Sequence, residues 1–105
     1  MIEYKILEAV KNTNFICLCG KIITKKNNFC IKCSNCNNII IGIGHNYVYI
    51  NIYFDEINGA YGFSYDSNKT NIFDICVSQE EIISIIKIGD FAKIKEKYDK
   101  YSLFK

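Results

Sequence analysis

The clearest pattern in the chain is an alternation of side-chain types over residues 47–54, where Tyr or Asn alternates with smaller apolar residues and Phe. This alternation is typical of a β-strand with one buried face. The loop at 55–59 ends in Asn58-Gly59 and predicts a hairpin turn into a second strand over residues 60–65. In that second strand Tyr61, Phe63 and Tyr65 share one face. The middle of the chain is therefore predicted to form a β-hairpin.

The flanking segments predict a short strand and two helices. Residues 2–7 alternate roughly as a strand does. Ser78 followed by Glu81 fits a helix-capping box, and an isoleucine stripe then continues to Gly89, which is expected to end the helix. Asp90 can cap a second helix. We therefore expect helices over about residues 78–102 and one mainly β domain with helices (α+β) over residues 1–105.

Composition and length narrow the class of protein. Half of the 105 residues are hydrophobic and 23% are charged, which is typical of a single globular domain and argues against disorder. The longest apolar run is far too short to span a bilayer. Glu3 and Glu8 lie where a secretion signal carries cations, so an intracellular protein without membrane contact is expected.

The six cysteines carry the clearest chemistry. Cysteines that cluster in an intracellular chain indicate a metal site before they indicate disulfides. Five of the six fall within 20 residues: Cys17, Cys19, Cys30, Cys33 and Cys36. Cys76 stands apart in an apolar stretch, and we expect it to be a buried small hydrophobic residue.

The cysteine spacing predicts structural zinc. Four thiolates on two short turns can surround Zn²⁺ as a closed tetrahedron, and such a site stabilises a fold without catalysing a reaction. Cys17 and Cys19 form the first turn, and Gly20 suits a tight turn there. Two overlapping Cys-x2-Cys pairs, beginning at Cys30 and at Cys33, compete for the second turn. The spacing of the residues leaves that choice open.

The order of these parts resembles the C-terminal oligonucleotide-binding (OB) domain of the large subunit of replication protein A. The residues that carry the resemblance are Asn14-Phe15-Ile16-Cys17-Leu18-Cys19-Gly20-Lys21, then Lys32-Cys33-Ser34-Asn35-Cys36, and the strands at 47–54 and 59–65. In that family a zinc ribbon is inserted between the first two strands of a barrel. The resemblance implies an OB-like partial barrel with an inserted four-cysteine zinc ribbon at about residues 15–38.

The resemblance also favours one ligand set and one cellular role. The thirteen residues between Cys19 and Cys33 match the family's spacing, so Cys17, Cys19, Cys33 and Cys36 are the implied zinc ligands and Cys30 is an alternate. The chain ends about where the family's fourth strand begins, so the barrel would lack its last strands. A nuclear protein in a replication-protein-A-like complex is implied, with partner subunits at the open barrel edge or at the helix over residues 90–102.

The first functional hypothesis is non-sequence-specific binding of single-stranded nucleic acid, with DNA favoured. Such binding combines a basic groove for the phosphates with aromatic faces on which bases stack. Lys is the only charged residue type between Glu8 and Asp55, and the chain has no Arg to read bases. The candidate contacts are Lys21, Lys25, Lys26, Tyr47, Tyr49, Tyr61 and Phe63.

The second hypothesis is a structural zinc-ribbon subunit that docks into a larger assembly, such as a replication complex, an RNA polymerase or a ribosome. An incomplete barrel and an amphipathic terminal helix would then be docking surfaces. An enzyme is not expected. His45 is the only histidine, and no nucleophile or orienting partner lies at a recognisable spacing from it.

Overall fold

The computed structural model describes residues 4–24, 26–27, 29–55, 59–67 and 75–98, with the side chains of residues 52–61 and of Tyr98 left aside. This part of the chain is a mixed α+β fold with a five-stranded sheet, a two-stranded sheet and three helices, so the α+β class is confirmed. The elements are α1 (Tyr4–Asn12), β1 (Phe15–Ile16), β2 (Ile22–Ile23), β3 (Cys30–Lys32), β4 (Ile39–Ile43), β5 (Tyr47–Asp55), β6 (Gly59–Asp66), β7 (Ile75–Cys76), α2 (Gln79–Ile88) and α3 (Phe91–Tyr98).

The N-terminal segment is a helix, so the predicted strand over residues 2–7 is wrong. Ile6, Ala9 and Val10 are its buried residues, at the i, i+3, i+4 spacing of one helix face. A six-residue alternation is too short to tell a strand from a helix, and the helical spacing becomes visible only when Ala9 and Val10 are included.

The large sheet has the strand order β3-β4-β5-β6-β7. Its first four strands form an antiparallel meander, and β7 pairs in parallel with β6. The predicted hairpin of β5 and β6 is confirmed, with Ile50 opposite Phe63 and Val48 opposite Tyr65. The small sheet is the antiparallel hairpin of β1 and β2.

The helices contribute to a single hydrophobic core with one face of the large sheet. Val48, Ile50 and Phe63 lie on that face and are almost fully buried. α2 contacts β6, α3 contacts β5, and α1 packs on α2. Ile82, Ile85 and Ile86 give α2 the buried stripe expected from the sequence. Since strand side chains alternate, Tyr47, Tyr49 and Asn51 lie on the opposite face, where they are half-buried.

Both predicted helix starts are confirmed by their caps. The Ser78 hydroxyl accepts a hydrogen bond from the Glu81 amide at 3.1 Å. The Asp90 carboxylate accepts from the amides of Ala92 at 3.0 Å and Lys93 at 3.4 Å. These acceptors satisfy amides that have no partner within the helix, so each cap fixes where its helix begins.

Gly89 joins α2 to α3, and we expect the change Gly89→Ala to destabilise the fold. Its φ of +75° lies in the left-handed region, and a Cβ there would lie 2.5 Å from the carbonyl oxygen of Asn14. Strain and steric clash should together lower the free energy of unfolding by at least about 1–2 kcal/mol. The measurement is urea unfolding followed by circular dichroism.

The matched control for this substitution is Gly42→Ala on β4. A Cβ on Gly42 would meet no heavy atom within 4 Å. The control should therefore unfold at the same urea concentration as the wild type. Equal midpoints for the two variants would show that the Gly89 junction tolerates a side chain.

Candidate metal centre

The first pair of cysteines lies in the turn between β1 and β2. The Cys17 amide donates to the Lys21 carbonyl at 2.9 Å, and the Gly20 amide donates to the Cys17 carbonyl at 2.8 Å. Gly20 has a φ of +91°, a conformation that glycine adopts without a Cβ penalty. These bonds curl the five residues of the turn so that both thiols emerge on one side.

The second pair lies in the turn between β3 and β4 and is built in a similar way. The Cys33 amide donates to the Asn38 carbonyl, and the Asn37 amide donates to the Cys33 carbonyl, both at 2.9 Å. Asn37 has a φ of +62°, which asparagine tolerates better than most residues. The turn holds Cys33 and Cys36 three residues apart.

The fold brings these two turns together. The sulfur atoms of Cys17, Cys19, Cys33 and Cys36 all lie within 4.8 Å of one another, and we call these four residues the cysteine cluster. Two thiol contacts cross between the turns, from Cys17 to Cys36 and from Cys19 to Cys33, each with a sulfur–sulfur distance of 3.6 Å. Four converging soft ligands of this kind could hold a metal ion.

Cys30 lies outside the cluster, although it was the alternate ligand in the sequence analysis. It is the first residue of β3 and pairs with Gly42 on β4, before the turn that carries Cys33 and Cys36. Its position in the ladder separates its sulfur from the four that converge. The choice between the overlapping Cys-x2-Cys pairs is thus made by strand register.

The four thiols occupy different electrostatic environments. Burial raises the pKa of the Cys17 thiol to about 12. The side-chain amide of Asn35 donates to the Cys19 sulfur at 3.5 Å, and together with the Lys21 amide it lowers the pKa of Cys19 to about 6. The pKa of Cys33 is lowered, chiefly because the Cys36 amide donates to its sulfur. Hydrogen bonds from N–H groups stabilise a thiolate, which is the form that binds metals.

The first hairpin is also tied to the helical layer. The Ile16 amide donates to the Gly89 carbonyl at 2.9 Å. Phe15 is fully buried and meets the Phe91 ring edge-on, with a centroid distance of 6.2 Å. The cysteine cluster is therefore anchored to the main core through β1.

Lys26, a predicted phosphate contact, is used within the fold. Its ammonium donates to the carbonyl oxygens of Thr13 at 2.6 Å, Lys11 at 2.7 Å and Val10 at 3.3 Å. These carbonyls lie at the C-terminus of α1, where a cation also interacts favourably with the helix dipole. This engagement corrects the prediction that Lys26 is available for a nucleic-acid backbone.

Replacing Lys26 should therefore destabilise α1. We expect Lys26→Met, which keeps much of the chain length, to lower the free energy of unfolding by about 1–2 kcal/mol because three carbonyls lose a charged donor. Lys21→Met is the control, since Lys21 is exposed in the first cysteine turn. Chemical unfolding of both variants is the measurement, and an equal loss in the two would contradict this role of Lys26.

The predicted aromatic contacts divide between the two faces of the sheet. Phe63 is 2% exposed and lies opposite Ile50 on the core face, so its prediction as a stacking platform is wrong. The register of β6 against β5 turns that side chain inward. Tyr47 and Tyr49 lie on the other face and are half-buried.

The structure describes the side chain of only one of the three remaining residues predicted to contact nucleic acid. Lys21 is exposed beside Cys19. Lys25 and the side chain of Tyr61 lie outside the described residues, as does the chain beyond residue 98. Among the described residues, Lys21 lies in the first cysteine turn, whereas Tyr47 and Tyr49 lie on β5.

Cys76 is exposed, so the prediction of a buried cysteine is wrong. It lies on the two-residue strand β7 and pairs with Ser64, whereas its neighbour Ile75 pairs with Phe63 on the core face. Alternation along the strand turns Cys76 away from the core. An apolar stretch in the sequence does not reveal which of its members faces inward.

Exposed apolar side chains beside the cysteine cluster are a feature that the sequence analysis missed. Leu18, Ile22 and Ile39 are 41%, 60% and 49% exposed. Leu18 lies between two cysteines of the cluster, Ile22 begins β2 and Ile39 begins β4. The signal in the sequence was the adjacent pair Ile22-Ile23, because two neighbours in a strand cannot both face the core.

Within the described ranges, none of the three helices has the length and apolar composition needed to cross a membrane. No protein-family model, no curated protein and no solved structure matches this chain. The cysteine cluster and the surfaces around it are the features of the molecule that bear on its function.

Proposed function

We propose that the cysteine cluster binds one structural zinc ion, as in a zinc ribbon, and that the domain so stabilised is a docking subunit of a larger assembly. Zn²⁺ in a tetrahedron of thiolates has Zn–S bonds of about 2.3 Å, which places the sulfurs about 3.8 Å apart. The 3.6 Å contacts and the 4.8 Å limit of the cluster fit that geometry. The pairs at 3.6 Å would move slightly apart, and any pair near the 4.8 Å limit would close by about 1 Å.

A structural role for the ion follows from the donor set. Four thiolates fill the coordination sphere of Zn²⁺ and leave no position for a substrate or a water molecule. The turns provide N–H donors to the sulfurs, which orient the ligands and hold the anionic form. The ion would join two hairpins that otherwise belong to separate sheets.

The observation that carries the docking role is the exposure of three apolar side chains next to the cysteine turns, Leu18, Ile22 and Ile39. Single exposed apolar residues are ordinary, but these three lie in or directly beside the turns that the ion would hold rigid. A rigid apolar surface loses little conformational entropy when a partner covers it. The absence of acidic residues from 9 to 54 favours a partner that is neutral or acidic there.

Site-specific photo-crosslinking in the source cell tests the docking role. A photoreactive residue placed at Ile22 should crosslink to one defined partner, while the same residue at Glu96, exposed on α3, should not. The Ile22 crosslink should disappear when Cys33→Ser removes a zinc ligand. Equal crosslinking from both positions, or none from Ile22 in a zinc-loaded chain, would contradict the proposal.

A second candidate is non-specific binding of single-stranded nucleic acid on the sheet face that carries Tyr47 and Tyr49. Both rings are half-buried on the face opposite the core, and Gly42 beside Tyr49 leaves open space next to it. Such a face could serve as a stacking platform of the OB kind. Exposed Lys21 would be the remaining phosphate contact near the cluster.

Fluorescence anisotropy with a labelled oligo-dT strand separates the two candidates. If the second holds, Tyr49→Ala should weaken binding by about 5- to 150-fold, which corresponds to about 1–3 kcal/mol for one stacked base. Tyr4→Ala is the control, since Tyr4 is exposed on α1. The docking proposal alone predicts no binding by the folded, zinc-loaded chain even at low salt.

A further inference from the structure

Two hydrogen-bonded thiol contacts in the cysteine cluster cross from one turn to the other. Both hydrogen-bonded pairs, Cys17 with Cys36 and Cys19 with Cys33, join one turn to the other. Each sulfur therefore has a hydrogen-bonded partner on the opposite hairpin. A covalent bond within either pair would connect the same two hairpins that a metal ion would connect.

The distances make such bonds accessible to small movements. A disulfide has a sulfur–sulfur distance of about 2.05 Å, so each pair at 3.6 Å must close by about 1.5 Å. Rotation about the Cα–Cβ bond moves a sulfur atom by this amount without moving the backbone hydrogen bonds of the turns.

Solvent access differs between the two pairs and sets the order of reaction. Cys19 is exposed, whereas its partner Cys33 is fully buried. Cys17 is 4% exposed and Cys36 is half-buried. A small oxidant in solution reaches Cys19 first, so the pair that contains it reacts first.

We propose that a peroxide converts the cysteine cluster to two disulfides, Cys19–Cys33 and then Cys17–Cys36, so that the two hairpins stay joined after the metal has left. The inference rests on the proposed metal site only for the metal's release, because the pairing follows from the positions of the four sulfurs. Oxidation would thus exchange one crosslink between the hairpins for another.

The chemistry balances without a further reactant. A thiolate sulfur attacks one oxygen of the peroxide, the O–O bond breaks, and a sulfenic acid forms. The partner thiolate attacks that sulfur, the S–O bond breaks, and the S–S bond forms. The two thiolates that form each disulfide supply two electrons, and one molecule of hydrogen peroxide with two protons becomes two molecules of water, so two disulfides consume two molecules of peroxide. Zn²⁺ leaves with its charge unchanged because its four ligands have been consumed.

The positions of Cys30 and Cys76 exclude these two cysteines from the proposed disulfides. Cys30 lies on β3 before the second turn, and Cys76 lies on β7 at the other edge of the sheet. Neither belongs to the group whose sulfurs lie within 4.8 Å of one another. Neither should therefore form a disulfide with a cluster cysteine.

Peptide mapping of the oxidised full-length chain tests the pairing. Cleavage after Leu18 and Asn35, together with cleavage after the lysines between Cys19 and Cys33, places each cluster cysteine in its own peptide; those lysines are Lys21, Lys25, Lys26 and Lys32. The chain is treated with hydrogen peroxide, the free thiols are blocked, and the crosslinked peptides are identified by mass spectrometry without reduction. The two crossed pairs should be found, and no crosslinked peptide should contain Cys30 or Cys76.

Circular dichroism of the same oxidised sample is the second measurement. The spectrum should match that of the metal-loaded chain, because the hairpins remain connected. Bonds within a turn, a bond to Cys30, sulfinic acids in place of disulfides, or an unfolded spectrum would each overturn the inference.

A separate measurement on the same sample tests zinc binding independently of the disulfide pairing. A coloured zinc chelator in the solution should report one ion released per chain as the thiols disappear. If no zinc is released but the crossed disulfides form, the zinc proposal fails and the pairing stands. If zinc is released and other pairs form, the pairing fails and the zinc proposal stands.

Discussion

Stripping the proposed zinc ion from this protein is expected to abolish its cooperative thermal unfolding. Structural zinc contributes about 10–16 kcal/mol of apparent binding free energy in small zinc-dependent folds near neutral pH. The whole stability of a domain of this size is about 5–15 kcal/mol. Since the cluster joins the β1–β2 hairpin to the large sheet, the metal-free, reduced chain should lack a sharp transition. Calorimetry with and without a strong chelator, alongside elemental analysis showing one zinc per chain, is the measurement.

A pair of serine variants gives this prediction a matched control. Cys33→Ser removes a fully buried member of the cluster and should reproduce the effect of the chelator. Cys30→Ser removes a half-buried cysteine three residues earlier, outside the cluster, and should keep both the zinc and the transition. Retention of stoichiometric zinc by Cys33→Ser would argue against this ligand set.

The second large effect is expected from Phe91→Ala. Phe91 is 1% exposed and meets the fully buried Phe15 ring edge-on, so it links α3 to the hairpin that carries Cys17 and Cys19. Removing a buried phenylalanine leaves a cavity and costs about 3–5 kcal/mol. A loss of that size should lower the melting temperature of the zinc-loaded chain by at least about 12 °C.

Phe29→Ala is the control for this change because it removes the same atoms from a side chain that is 69% exposed. Surface substitutions of this kind usually change stability by less than about 0.5 kcal/mol. Differential scanning calorimetry of both variants should therefore show a large shift for Phe91→Ala and almost none for Phe29→Ala. Similar shifts would mean that the Phe15–Phe91 contact does not hold the hairpin to the core.

Elements with local signals were predicted from the sequence. Ser78 and Asp90 start the two C-terminal helices because the cap and the amides it satisfies lie within three residues. The hairpin of β5 and β6 was visible in the same way, because alternation and a turn signal are local features. The local pattern gave the wrong element at the N-terminus, because residues 2–7 fit both the two-residue period of a strand and the 3.6-residue period of a helix.

Predictions that depend on which face a residue takes were less successful. Phe63 and Cys76 were placed on the wrong side, because the register of one strand against another decides the face and is not written in the strand itself. Lys26 is predicted from the sequence to contact phosphate, because nothing near it in the sequence reveals that it reaches the end of α1, more than ten residues earlier.

The sequence by itself determined the kind of chemistry available: soft thiol ligands on two glycine- or asparagine-containing turns, with lysine as the only charged residue type around them. The tertiary structure decided which thiols meet. Residue spacing left Cys30 and Cys36 as competitors, and the pairing of Cys30 with Gly42 in the β3–β4 ladder removed Cys30 from the cluster. Ligand type is a property of single residues, but convergence within 4.8 Å requires two hairpins to be packed in one orientation, and only the folded chain provides that.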